Sequence, residues 1–182
     1  MEVSEMDDMS LMFLAVHQFD DGSSYRGAFL VTDSDTTPTE FRCTNAINPT
    51  QLQKTLYGNI LDEHILVELI AVPLFNACTK KPDIVIVTDD LLLSFRKKVS
   101  IPIAVLKEET EFHVPEDDPT RGIITSESGK FQPVVTNVHN DFMEDKKLVA
   151  EMLTPILSKR SLTEPFERIR IALDQVHDKD LA

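Results

Sequence analysis

Apolar residues dominate Ser10 to Phe19, and so few polar positions interrupt them that the run reads as a largely buried strand. Asp20-Asp21-Gly22-Ser23-Ser24 supplies turn chemistry, and Gly27 to Thr32 reads as a second strand. After a second polar turn, Asp33 to Pro38, the stretch Thr39 to Thr44 alternates Phe41 and Cys43 with Glu40, Arg42 and Thr44. Three strands on short turns predict an antiparallel meander. The pattern then turns helical. Asn48 as N-cap, Pro49 at the first helical position and Gln51 reaching back predict a helix that Gly58 ends. A second helix is predicted from about Leu61 to Thr79, kinked at Pro73.

The middle of the chain carries the most information. Asp83 to Thr88 reads as a buried strand that opens after Pro82 and ends on two carboxylates, Asp89 and Asp90. A helical run, Leu91 to Val99, and an apolar strand, Ile101 to Leu106, complete a β-α-β unit. Ligands of open α/β sheets sit at the carboxyl ends of strands, which makes Asp89 and Asp90 the first candidates for chemistry. Lys107 to Asp118 is acidic and irregular, and reads as an exposed loop. Arg121–Thr125 and Phe131–Val138 flank a hairpin signal with Gly129 at positive φ. Helices are predicted from Asp141 to about Leu157, with Pro155 bending or ending the first, and from Glu164 to Val176. Phe166, Ile169, Leu173 and Val176 form one apolar face on the last helix. Such a stripe is ordinarily core; on a domain already complete it would dock a partner.

These elements predict one α/β domain over residues 10–182, behind a flexible acidic segment at residues 1–9. Its sheet is expected to be mixed and mainly five-stranded, an N-terminal antiparallel meander followed by β-α-β, with helices on its faces. Net charge is −13, from 18 basic and 31 acidic residues, so the summed field repels a phosphate backbone and favours a basic protein partner. The basic groupings Lys80-Lys81, Arg96-Lys97-Lys98 and Lys159-Arg160 are short and fall where helices end, as expected for dipole complementation. No apolar run reaches the roughly 20 residues of a membrane helix, no secretory signal opens the chain, and a cytoplasmic location is expected. Two cysteines, Cys43 and Cys78, support neither a disulfide framework nor a Cys-rich zinc site.

The order strand-strand-strand-helix-strand-helix-strand resembles ribonuclease H-like folds. That resemblance implies one acid on the first strand and another at the tip of the fourth, holding magnesium or manganese for phosphodiester hydrolysis. Asp89 or Asp90 falls at the second position. The first strand offers no inward Asp: His17 lies within it, and Asp20 and Asp21 come only at its turn. Asp89 or Asp90 serving as a helix cap is the plainer reading. The histidines His17, His64, His113, His139 and His177 form no HExxH pair. His139-Asn140-Asp141 reads as a polar connector with a cap, and Tyr57 and His64 flank Gly58 as packing residues. Nucleophile elbows, dinucleotide loops and P-loops are absent from the sequence.

The blocks Gly27-Ala-Phe-Leu-Val-Thr-Asp33, Glu40-Phe-Arg-Cys-Thr44 and Pro49-Thr-Gln-Leu-Gln-Lys-Thr-Leu-Tyr-Gly58 resemble a family of uncharacterised bacterial proteins with no established activity. Glu164-Pro-Phe-Glu-Arg-Ile-Arg170 fits the same pattern. The resemblance implies a bacterial, cytosolic origin and transfers no functional residue. The leading expectation is therefore a non-catalytic interaction subunit of a bacterial multiprotein assembly, without cofactor, whose partner face is Phe166, Ile169, Leu173 and Val176. The alternative is a divalent-metal nuclease built on Asp20, Asp21, Asp89 and Asp90, with Asp89 and Asp90 as metal ligands. A small-ligand sensor at the crevice near Thr88 and Asp89 is a weaker third reading.

Overall fold

Ile84-Val85-Ile86-Val87 is apolar on both faces, the composition of a strand covered above and below, and all four residues are fully buried. The computed structural model describes residues 8–108 and 117–182. Its strands are β1 (Leu11–Phe19), β2 (Ser24–Thr32), β3 (Pro38–Cys43), β4 (Ile84–Val87), β5 (Ile103–Glu108), β6 (Arg121–Ile124) and β7 (Val134–Asn137). They form one seven-stranded sheet in the order β3-β2-β1-β4-β5-β7-β6. The meander and the β-α-β unit stand as predicted, with β1, β4 and β5 parallel. The expected five strands become seven because the β6–β7 hairpin joins the same sheet, β7 pairing antiparallel to β5. Most of the predicted flexible segment at residues 1–9 and most of the acidic loop, with His113, lie outside the described residues.

Helices cover both faces. On one lie α1 (Gln51–Tyr57), α2 (residues 61–77) and a 3₁₀ helix (Asp90–Lys98); on the other lie α3 (Asp145–Leu157) and α4 (Glu164–Leu181). The core splits by strand parity. Leu11, Phe13 and Ala15 of β1, with Ile84 and Ile86 of β4, face α3 and α4. Met12 and Leu14, with Val85 and Val87, face α2 and the 3₁₀ helix.

Several boundaries move for identifiable reasons. The cap of α1 is Thr50, not Asn48: Thr50 Oγ1 accepts from the Gln53 amide at 3.2 Å, and Gln53 Oε1 accepts from the Thr50 amide at 2.8 Å. α2 is continuous through Pro73, but Ile65–Ala71 is wound as a π-helix between α-helical turns. The Leu91–Val99 helix is 3₁₀ from Asp90, and Leu92 and Phe95, three residues apart, are both fully buried. α3 starts four residues after Asp141, behind a 3₁₀ turn at Asn140–Phe142, and α4 runs five residues beyond Val176.

The predicted partner face of α4 is spent inside the fold. Ile169 and Leu173 are fully buried, Phe166 packs edge-on against Phe13 with centroids 5.5 Å apart, and Val176 is half-buried. A polar clamp fixes the last turns of α4 to the meander. Buried Arg26 donates from Nε to His177 Nδ1 at 3.0 Å and pairs with Asp180 at 2.6 Å. Because Nδ1 accepts, the imidazole proton belongs on Nε2, which lies 3.2 Å from Asp20 Oδ1. Phe19 stacks on the same ring at 4.2 Å.

Gly27 of β2 lets the π segment of α2 settle on the sheet. A Cβ built there would lie 2.0 Å from Ile70 Cγ2. Gly27→Ala is therefore expected to destabilise the protein by about 2 kcal/mol through overpacking. Ile70→Ala in the same chain should cost less than the two single changes summed, and urea unfolding of the four-member cycle measures this coupling.

Candidate functional site

The fold brings its polar side chains together where β4 and β5 end. Asp89 is held by its cap, Oδ1 accepting from the Leu91 amide at 2.9 Å. Asp90 is engaged at both oxygens: Lys107 Nζ lies 3.1 Å from Oδ2, and Asn137 Nδ2 donates to Oδ1 at 3.2 Å. The pairing of Val87 with Val105 explains the first contact, since two residues on it sets Lys107 of β5 level with Asp89. Asn137 reaches the same carboxylate from the end of β7. Beside these groups opens a cleft of about 690 Å³, walled by Asp90 and Ser94 on one side and Asp118, Arg121, Asn137 and His139 on the other.

Several wall residues are held by hydrogen bonds or ion pairs. Asp118 accepts from the Thr120 amide at 2.9 Å and its hydroxyl at 2.6 Å, and these bonds hold its carboxyl below the usual carboxylate range. Arg121 stands 3.5 Å from the same carboxylate. His139 Nδ1 accepts from the Asp141 amide at 3.0 Å, which assigns the ring proton to Nε2 and bears out the polar connector with a cap. Behind the wall, Arg96 pairs with Asp145 at 2.6 Å and lies 4.1 Å over the Phe142 ring. Its neighbours are also paired, Lys97 with Asp141 at 3.1 Å and Lys98 with Glu68 at 3.0 Å. The basic triplet thus knits the 3₁₀ helix to α3 and α2.

The four candidate acids are not brought together. Asp20 and Asp21 sit on the β1–β2 turn at positive φ, and Asp20 belongs to the α4 clamp. Leu14 pairs with Val87, so Val16 stands level with Asp89 and His17 level with Asp90. Asp20 is four residues farther along, about 13 Å at the rise of a strand. Two ions roughly 4 Å apart cannot be shared over that span. Among the described residues no group of three His, Cys, Asp or Glu is placed to hold a metal. A two-metal centre therefore does not fit these residues: at the level of Asp89 the first strand presents the aliphatic Val16, and an ammonium neutralises Asp90. His17 faces the α4 side, where burial pushes its imidazole down and Asp174 opposes that shift. Lys107, Asn137, Arg121 and Asp118 were not singled out from the sequence; strand register was the signal that could have found Lys107.

No family model matches the chain, and no curated protein matches it. Solved structures do. The Endonuclease V of Streptomyces avermitilis superposes with a TM-score of 0.60 at 14% identity, over 94% of this chain and 84% of that one. The Endonuclease V of Bacillus subtilis gives 0.54 at 11% identity, over 92% and 83%. Human ENDOV gives 0.54 at 12% identity, over 96% and 86%. Likeness at this identity establishes the fold, and the predicted ribonuclease H-like core stands. It also overturns two expectations. The expectation of a non-catalytic interaction subunit is overturned, since the solved proteins of this architecture are endonucleases by name. The argument from net charge against nucleic acid contact, and for a basic protein partner instead, falls with it: proteins so named act on nucleic acid. Among the described residues no helix is long and apolar enough to cross a membrane.

Two measurements check this geometry. Asp145→Ala strands the Arg96 guanidinium and should cost about 3 kcal/mol in urea unfolding, with Arg96→Met in the same chain recovering most of it. By NMR, His17 should titrate below the ordinary imidazole value of 6.5. Its folded-state value is depressed, so the unfolded chain binds its proton first and this group's share of stability is lost as pH falls from about 6.5 toward the folded value. His17→Gln should remove that share, seen as a smaller drop in melting temperature over the same interval.

Proposed function

We propose that this protein acts on nucleic acid, with the cleft at the carboxyl ends of β4 and β5 as the face that meets the phosphodiester backbone. The observation that carries the reading is the agreement of its sheet and helices, over more than nine-tenths of the chain, with solved Endonuclease V proteins. The cleft adds chemistry suited to a phosphate: the Lys107 ammonium, the Arg121 guanidinium, the Asn137 amide and the Nε2–H of His139. Two cations are few, and both face carboxylates, Asp90 and Asp118. Binding on this reading is weak and only shallowly dependent on salt, because few counterions are displaced. Strand cleavage by a pair of metal ions forms no part of the proposal, since the residues at Val16 and Asp90 do not supply its ligands.

The test is fluorescence anisotropy with labelled single-stranded DNA, duplex DNA and RNA, with magnesium, with manganese and with EDTA. Binding is expected, with a slope of log K against log salt of about −2. Arg121→Gln should weaken it about tenfold, the worth of one charged phosphate contact. No binding to any of the three at low salt would overturn the reading. The same samples run on denaturing gels decide the chemistry. Metal-stimulated cleavage that disappears in Asp89→Ala/Asp90→Ala would show that these acids hold an ion once a substrate brings its own phosphates.

A further inference from the structure

The segment after β3 is built unlike the rest of the molecule. α1 has no buried residue at all, although it begins in a complete capping box. A seven-residue helix is far below the length at which a helix stands alone in water, and helices in proteins persist by burying an apolar face. α1 and the turn after it carry that face outward: Leu52 is 66% exposed, Leu56 73% and Ile60 65%, with Tyr57 beside them at 37%. Leu52 and Leu56 lie one turn apart on the same side of the helix. These side chains present on the order of 400 Å² of apolar surface, the size of patch that marks an interaction site.

Charge identifies the occupant. The chain carries 31 acids in 182 residues, yet Phe41 to Leu61 contains none, and this is its longest acid-free run. Arg42 and Lys54 are the charged residues within it. Two copies of a molecule with net charge −13 repel each other over most of their surfaces. A two-fold contact brings a patch against its own copy, so an acid in the patch would face acids across the axis. α1 itself carries no acid, and acids enter only at the border of the patch, where Glu63 lies beside Ile60, so this is the surface on which the chain can meet itself with least repulsion. Two such faces bury about 800 Å² of apolar area, the greater part of the roughly 1,200 Å² at which specific interfaces begin.

We infer that this protein forms a two-fold symmetric dimer through α1, with Leu52, Leu56, Tyr57 and Ile60 of each copy at the contact.

Sedimentation equilibrium of the full chain at roughly 50 μM, where a micromolar affinity populates the dimer, is expected to give twice the monomer mass. Leu56→Glu sets a carboxylate against its own mate and should return the mass to that of a monomer. Its circular dichroism and melting temperature at a concentration where both proteins are monomeric should be unchanged, because the side chain is solvent-facing. Leu52→Asp is the independent second variant and should behave alike. A wild-type protein that is monomeric at this concentration overturns the inference, as does a dimer indifferent to both substitutions. Monomeric protein whose oligonucleotide binding is lost in Leu56→Glu would assign the face to nucleic acid instead, and would equally overturn it.

Discussion

The parallel pairing of β1 with β4 is the constraint from which the functional geometry follows. Once Leu14 lies beside Val87, every position beyond is set by the rise of the two strands, and no side-chain rearrangement can change which residue faces which. Val16 then stands level with Asp89. β4 and the first five residues of β1 are buried on both faces, so a shift of one residue would exchange Leu11, Phe13 and Ala15 with Met12 and Leu14 and misfit both packed layers. The register cannot slip to bring Asp20 nearer to Asp89. The molecule therefore shares the fold of the solved Endonuclease V proteins, with Val16, Asp89, Asp90 and Lys107 at this level of its sheet.

The cleft owes its position to a mismatch between the two layers. On the α2 face, helical cover extends over β1, β4 and β5, whereas the sheet continues two strands farther, to β7 and β6. Where the cover stops, the sheet face turns polar: Arg121 on β6 and Asn137 on β7 replace the aliphatics of the centre, and Ile123 on β6 is 47% exposed. The Arg96–Asp145 pair and the ring of Phe142 hold the end of the 3₁₀ helix beside this step, which keeps the cleft wall rigid. The predicted hairpin, by joining the main sheet, is thus the part of the fold that creates the site.

Much of this was legible in residue order, and the failures have physical causes. The buried ribbon at Ile84–Val87, the meander, the hairpin glycine and the cap on Asp89 follow from local composition, and all are present. The capping of α1 was misplaced by two residues because Asn48-Pro49 and Thr50 through Gln53 are competing start signals, and only the second closes both bonds of a capping box. Nothing local marks the π turn in α2. It meets the sheet at Gly27, forty-three positions from Ile70, so the cause lies outside any local window. The stripe on α4 was read correctly as a stripe and wrongly as a docking face, because its target, Phe13, belongs to the other end of the chain. Lys107 escaped notice for the same reason: its meaning depends on a partner strand.

The clamp on α4 bears on the order in which this molecule can be made. Arg26 and His177 are separated by 151 positions, so the helix that carries the imidazole leaves the ribosome long after the meander it covers. Until then the guanidinium, which ends almost wholly buried, has neither its imidazole nor the Asp180 carboxylate, and one face of the meander is bare. A nascent chain of this kind holds an aliphatic sheet surface uncovered until α4 has been made. Closure of this face is a long-range event, and contacts so far apart in sequence carry a loop-closure cost that local contacts do not.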